Sequence, residues 1–335
     1  MLKKIAIKIA LAALLGLFIY LLVIIFGTRS IDREWQPRII TVRRGASAGQ
    51  IANMLHRDGV IEHPAMFKYL ALAGGLNRRL KAGRYRFDYP LSAWEALDKI
   101  HSGAVVYHKV TIPEGLTLAR IAGILANEAG ADSQALIKAF RDTALMNFHG
   151  IKAASLEGYL FPETYDFEWG SSADLIARRL VESFFANIKP EWMDELKRQK
   201  RDLRQMVIMA SLVEREAQVD AERPVVASVF YNRLKARRPL ESCATVEYAL
   251  PRHKNRRLTY DDLEIDSPYN TYRRQGLPPG PICNPGRRSL EAAAYPAQTN
   301  FLYFVSKGDG SHIFTRTLEE HNRAKRLVQE LKDRR

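Results

Sequence analysis

The sequence predicts an α+β protein: one apolar N-terminal helix, small strand–helix modules, then a mixed α+β domain closed by a hairpin and a helix. Three observations carry that expectation. Residues 9–26 form 18 uncharged, mostly aliphatic positions between Lys8 and Arg29. A pattern of strand, Gly turn, Ser or Thr and amphipathic helix occurs twice, at an offset of 70 residues. Near the end, Phe301-Leu302-Tyr303-Phe304-Val305, the turn Gly308-Asp309-Gly310 and His312-Ile313-Phe314-Thr315 read as a hairpin.

At a rise of ~1.5 Å per residue the first run spans roughly 27 Å, enough for a bilayer core. Lys3, Lys4 and Lys8 precede it. A cleaved signal peptide has a shorter apolar core, about 7–15 residues, and ends in small residues. Here the run ends Ile24-Ile25-Phe26-Gly27-Thr28, which favours an uncleaved, single-pass anchor. Arg29, Arg33, Arg38, Arg43 and Arg44 on the far side oppose the lysines, so charge alone leaves the orientation open. The expected organisation is a cytoplasmic tip and transmembrane anchor over 1–28, a linker over 29–38, a first module over 39–110, a second partial module or connection over 111–150, and a catalytic domain over 151–335.

The formal net charge is +14, with basic clusters at 78–86, 197–204, 252–257 and 273–274. These are scattered, and no finger, RNP-like or basic-zipper pattern accompanies them, so nucleic acid is not an expected partner. An anchored basic protein fits anionic lipid or a carboxylate-bearing cell-wall polymer, or simply a solvated cationic surface. Cys243 and Cys283 lack zinc-site spacing and the histidines are dispersed, so no metal is expected. No P-loop, nucleophile elbow or dinucleotide fingerprint is present, and no cofactor is expected.

In the repeat, Thr41-Val42-Arg43-Arg44-Gly45-Ala46-Ser47 leads into Ile51-Ala52-Asn53-Met54-Leu55, and Thr111-Ile112-Pro113-Glu114-Gly115-Leu116-Thr117 into Ile121-Ala122-Gly123-Ile124-Leu125. Ser47 and Thr117 stand where helix caps belong. Gly83-Arg84-Tyr85-Arg86-Phe87 reads as a strand, and Ser92 opens a helix through Ile100. The pattern resembles the glycan-binding LysM module over about 40–110; a plain spacer is the alternative. Helical patterns follow at 175–187 and 191–215, and Asp220 is placed to cap a helix over 225–234. Residues 267–286, rich in Pro, Gly, Asn and Tyr, read as a long functional loop. Thr317 and Glu320 form a capping box for the last helix.

The chemistry points to residues 206–217. This segment reads as a helix apolar on every side until Glu214 and Glu216 in its last turn. Burial and the negative helix end both raise a carboxyl pKa there, and a proton kept near neutral pH is what general-acid catalysis needs. Two residues apart, the pair is separated by about 200° around the helix, so only one can face a given cleft. The alternative is that either Glu pairs with Arg215 or Arg223. Asn270-Thr271-Tyr272 with 276–280, and Gly158-Tyr159-Leu160-Phe161-Pro162-Glu163-Thr164-Tyr165, are aromatic and polar loops suited to sugar rings or to plain packing.

Together, 156–165, 210–217, 226–234, Tyr269-Asn270-Thr271-Tyr272 with 276–280, Asn284-Pro285-Gly286, 289–296 and the hairpin through His321-Asn322 resemble the YceG-like endolytic murein transglycosylases. The resemblance covers about 150–330. It implies a lytic transglycosylase at the inner (plasma) membrane with its catalytic domain on the extracytoplasmic side, acting on peptidoglycan strands beside peptidoglycan synthases. It implies Glu216 as acid, then base, with Asn270, Tyr272, Glu163, Asn232 and Thr245 as substrate-binding or orienting groups. This chain departs from the family's usual Asp-Pro-Thr, carrying Cys243-Ala244-Thr245, and has Cys283 where Ala is common. Both departures introduce cysteine, which raises the expectation of a disulfide. Rival readings are a lysozyme-like hydrolase pairing Glu216 with Glu163, Asp261, Asp262 or Asp266, and a non-catalytic glycan-binding scaffold. A pyridoxal-dependent lyase is disfavoured by the anchor.

Overall fold

The computed structural model describes residues 2–27, 35–43, 45–250 and 258–333. Arg29, Arg33, Arg44 and the basic run at 252–257, all weighed above, lie outside the described residues. The described residues form a mixed α+β protein of many helices and three two-stranded sheets. It divides into two compact units, 1–108 with 166–170, and 109–165 with 171–335.

The first unit begins with α1 (Leu2–Phe26), 25 continuous helical residues. Counting only residues whose side chains are described, no helix is long and apolar enough to cross a membrane. Next come β1 (Arg38–Val42), α2 (Ala48–Arg57), α3 (Pro64–Ala73), β2 (Gly83–Phe87) and α4 (Ala93–Ser102). β1 and β2 pair antiparallel with Ile40 opposite Tyr85, so alternate residues face inward. Ile40, Val42, Ile51, Leu55, Phe67, Tyr85, Phe87 and Ile100 make one core. Ser47 and Ser92 each complete a capping box, with Gln50 and Glu95.

The strand β3 (Tyr107–Thr111) opens the second copy of the repeat and pairs with β4 (Thr164–Glu168). Between them lie α5 (Leu118–Ala129), α6 (Ser133–Ala139) and α7 (Thr143–Phe148). The stretch expected as a separate connection, 111–150, thus belongs to the second compact unit. Thr117 does not cap α5 with its side chain. Instead Leu118 N donates to Glu157 Oε1 at 3.0 Å, a buried carboxylate at the positive helix end.

The remaining elements are α8 (Ala173–Asn187), α9 (Pro190–Arg198), α10 (Leu203–Glu216), α11 (Arg223–Lys235), α12 (Cys243–Ala249), α13 (Arg287–Ala294), the hairpin β5 (Tyr303–Ser306) and β6 (His312–Thr315), and α14 (Leu318–Asp333). The helix expected over 191–215 is two helices. α9 stops at Arg198, Lys200 takes a φ of 56°, and Asp202 with Gln205 builds a fresh capping box for α10. Asp220 does not cap α11 either: it starts a 3-10 turn, and its carboxylate accepts from Arg223 Nε at 2.9 Å. The Thr317–Glu320 box forms as expected.

At the centre of this unit every residue of α10 from Met206 to Val213 is buried, against α9, α11, α12 and α13. That is how a helix apolar all round satisfies itself in water. Its last turn ends at the edge of this core, and there the polar groups gather.

Candidate active site

The site is assembled from three segments: the end of α10, the start of α12 and the loop around residue 271. Ser211 of α10 holds the loop that precedes α13, since Ile282 N donates to its Oγ at 3.1 Å. Gly158 lets a neighbouring loop close in; at φ +87° a Cβ there would lie 2.5 Å from Pro281 and 2.8 Å from Val207. Asn284 then fastens both loops, accepting from Gly158 N and Leu160 N and donating to Glu157 Oε1, each at 2.9 Å.

Glu216 retains partial solvent access. Ser242 Oγ donates to its Oε1 at 2.5 Å. Burial pushes its carboxyl above the ordinary carboxylate range; the Ser242 hydrogen bond, His312 and Arg215 oppose that, and Glu247 adds to it. Burial thus favours the protonated form, while Ser242 supplies a donor to the ionised one.

Ser242 is itself held from behind. Its N–H donates to Thr271 Oγ1 at 3.1 Å, and Thr245 Oγ1 donates to its carbonyl at 2.7 Å. Asn270 braces the same loop, donating to Leu263 O and Ile265 O at 2.8 and 2.9 Å and accepting from Tyr272 N at 3.0 Å. Asn270 and Thr245 are both fully buried. Expected as substrate contacts, they are positioned here as the frame that places Ser242 and Tyr272.

The Tyr272 hydroxyl lies 3.1 Å from Cys243 Sγ. Burial raises its phenol's pKa, and the neighbouring Cys243, Glu216 and Glu241 raise it further, which puts Tyr272 within the field of Glu216. The other two candidates are elsewhere. Glu163 accepts from Ser183 Oγ of α8 at 2.9 Å, and Asn232 donates to Thr299 O and Phe301 O at 2.9 and 3.0 Å, tying α11 to the approach of β5.

The two cysteines are free thiols: Cys243 is exposed, whereas Cys283 is buried and donates to Ser211 O at 3.4 Å. The expected disulfide is therefore absent, because the sulfurs have separate partners. Among the described residues no group of three or more His, Cys, Asp or Glu could hold a metal.

Glu214 faces a different set. Its Oε1 lies 3.3 Å from Arg223 Nη1 in a buried ion pair, and its Oε2 accepts from Gly286 N at 3.0 Å. Ser242, Thr271, Glu247, His312 and Glu157 are the functional surroundings that sequence reasoning missed. His312 Nδ1 lies 2.7 Å from Glu222 Oε2, so a histidine with no metal spacing is part of the electrostatic surround of Glu216. Only Glu157 carried a local signal, as an acidic residue inside an apolar, aromatic loop.

A partly buried carboxyl with its pKa raised by burial and a hydroxyl donor beside it is the kind of group that acid–base chemistry by one carboxylate requires. The sequence model of the YceG-like family matches residues 40–327, and the chain belongs to that family. It is 38% identical over 302 residues to the endolytic murein transglycosylase of Bacillus subtilis, covering 85% of this chain and 83% of the relative. The endolytic murein transglycosylase of Streptococcus pneumoniae strain D39 is 27% identical over 85% of this chain, which spans 57% of that relative. The crystal structure of a yceG-like protein from Listeria monocytogenes superposes with a TM-score of 0.60 at 34% identity, over 86% of this chain and 98% of the other.

Proposed function

We propose that this member of the family, a lytic transglycosylase acting on peptidoglycan, cuts within glycan strands and uses Glu216 as its one acid–base group. The supporting observation is the carboxyl itself, pushed above its normal range by burial and hydrogen-bonded by Ser242. Protonated Glu216 gives its proton to the oxygen joining C1 of N-acetylmuramic acid to N-acetylglucosamine, and the C1–O bond breaks. The muramyl 6-hydroxyl closes on C1, and ionised Glu216 takes the proton that this hydroxyl loses. The products are a free hydroxyl on the departing sugar and a 1,6-anhydro ring. No water is consumed, and Glu216 ends protonated as it began.

A hydrolase needs a second carboxylate to serve a water or act as nucleophile. Glu163 is engaged by Ser183, Asp262 by Thr259 and Asp266 by Arg274. Glu247, the carboxylate that does act on Glu216, is paired with Arg215 at 3.0 Å. Tyr272, beside Cys243, is the retained candidate for contact with substrate.

The membrane reading rests on α1. Its 25 residues reach about 37 Å, against ~30 Å of bilayer core. Ile9, Leu11, Leu14, Phe18 and Val23 are each more than half exposed, which an aqueous setting does not reward. We read it as a single-pass anchor with the enzyme on the extracytoplasmic side, where peptidoglycan and its synthases are. The order β1–α2–α3–β2 supports a LysM-like, glycan-binding role for the first unit.

Purified peptidoglycan digested with the detergent-solubilised full chain is expected to yield 1,6-anhydro ends by mass spectrometry. Reducing ends carrying solvent oxygen would overturn the lyase chemistry. Undiminished cleavage by Glu216→Gln would remove Glu216 from the mechanism.

A further inference from the structure

A cavity of about 120 Å³ lies in the second unit, walled by Thr117 and Arg120 at the start of α5, Arg215 of α10, and Glu247 and Tyr248 of α12. Two of its walls reach the reacting centre. Arg215 directly precedes Glu216, and Arg215 and Glu247 both act electrostatically on the Glu216 carboxyl. A group seated in the cavity therefore meets two residues that act on the Glu216 carboxyl.

Its charge is unbalanced. Arg215 and Glu247 neutralise each other at 3.0 Å. Arg120 is exposed and makes no ion pair among the described residues. The α5 end itself is met by Glu157 through Leu118 N, but the Thr117 hydroxyl beside it is not used as a cap. The sum is one uncompensated cation with a spare hydroxyl, the pattern that takes a carboxylate. Size narrows the ligand further. Pockets that enclose a whole small molecule start at roughly 300 Å³, so this one admits an end group and a few attached atoms but not a sugar ring.

We infer that this cavity binds a carboxylate of the lactyl-linked substituent on the muramyl residue, with Arg120 as its specificity-determining cation. The inference rests on the transglycosylase reading above for its substrate. Two sources offer that chemistry: a carboxylate of the attached peptide, or the bare lactyl carboxylate where the peptide has been removed.

The test compares wild type with Arg120→Ala and Arg120→Lys on three substrates: peptide-bearing strands, amidase-stripped strands, and stripped strands whose lactyl carboxylate has been converted to a neutral amide. Losing one charge-assisted contact is expected to lower kcat/KM about tenfold through KM on the charged strand that supplies the ligand. The neutral strands should be unaffected, and Arg120→Lys should recover part of the loss. A loss confined to peptide-bearing strands identifies the peptide, and a loss on stripped strands identifies the lactyl group. Equal loss on all three substrates, or on none, overturns the inference. A parallel titration of Glu216→Gln with N-acetylmuramic acid, with muramyl dipeptide and with the amide of each reads binding without turnover. If wild type makes no anhydro ends on any strand, the transglycosylase reading fails, while this titration still decides the carboxylate site: one of the two acids should bind about tenfold tighter than its amide, and equal binding in both pairs overturns it.

Discussion

The last turn of α10 presents two glutamates to opposite surroundings, and the contrast shows how environment assigns a role to one residue type. Glu214 meets Arg223 in a pair whose side chains are 7% and 8% exposed, plus the Gly286 amide. Its charge is compensated, and the pair ties α10 to α11 and to the loop before α13. Glu216 meets a neutral donor, Ser242, and its burial is only partly offset. One carboxylate holds the fold, and the other is the group proposed to exchange a proton. A regular helix achieves both within three residues because it turns about 100° at each step.

Replacing each glutamate in turn breaks this comparison most directly. Glu216→Gln keeps the shape and removes the proton, so turnover should fall by about 10²–10⁴ with the unfolding midpoint little changed. Glu214→Gln should do the reverse. It takes one of two carboxylates from the buried Arg223, leaving Asp220, and costs about 1.5–3 kcal/mol in urea unfolding, while activity per folded molecule stays near wild type. If Glu214→Gln abolished cleavage without loss of stability, the two roles would be exchanged.

A third carboxylate sharpens the contrast. Glu157 is buried against Leu118 N, Asn284 and Tyr248, and burial pushes it from the ordinary 4.5 up to about 7. Below pH 4.5 both folded and unfolded chains are protonated there, and its contribution is fully present. As pH rises toward 7 the unfolded chain ionises first, so stability falls, levelling off above the folded value. The gap corresponds to roughly 3 kcal/mol between about pH 4 and pH 8. Glu157→Gln should flatten that part of the stability–pH curve; an unchanged slope would show that Glu157 ionises normally.

How much of this was legible in the sequence follows from the range of each interaction. Local patterns foretold the buried helix at 206–217, the cap at Ser47, the helix opened by Ser92, the Thr317–Glu320 box, the β5–β6 hairpin and the long loop around 270. The break at Lys200 was missed because Leu196 and Leu203 keep a helical spacing across the polar run 197–202, although Asp202 and Gln205 carry the cap of a new helix. The helical angle separated Glu214 from Glu216, and family likeness chose between them. Ser242 and His312 left no local trace, since each acts on residues 26 or more positions away, and Thr271 was seen only as part of a polar loop. For the same reason Asn270 and Thr245 looked like sugar-binding polar groups, although the fold uses their hydrogen bonds to brace a loop.

The smallest expected effect isolates the Ser242 hydrogen bond. Ser242→Ala removes the only donor described on Glu216 and leaves its ionised form less stabilised, so the carboxyl should hold its proton to still higher pH. A hydrogen bond to a charged group is worth about 1.5–3 kcal/mol, which at ~1.4 kcal/mol per pH unit moves the alkaline limb of the activity profile up by at least about one unit. The plateau rate should fall, because the base half of the reaction loses its stabilised carboxylate, and Ser242→Thr should restore both. A purely structural serine would lower the unfolding midpoint and leave the limb where it was. The pH profile therefore separates a residue that tunes the proton from one that merely packs beside it.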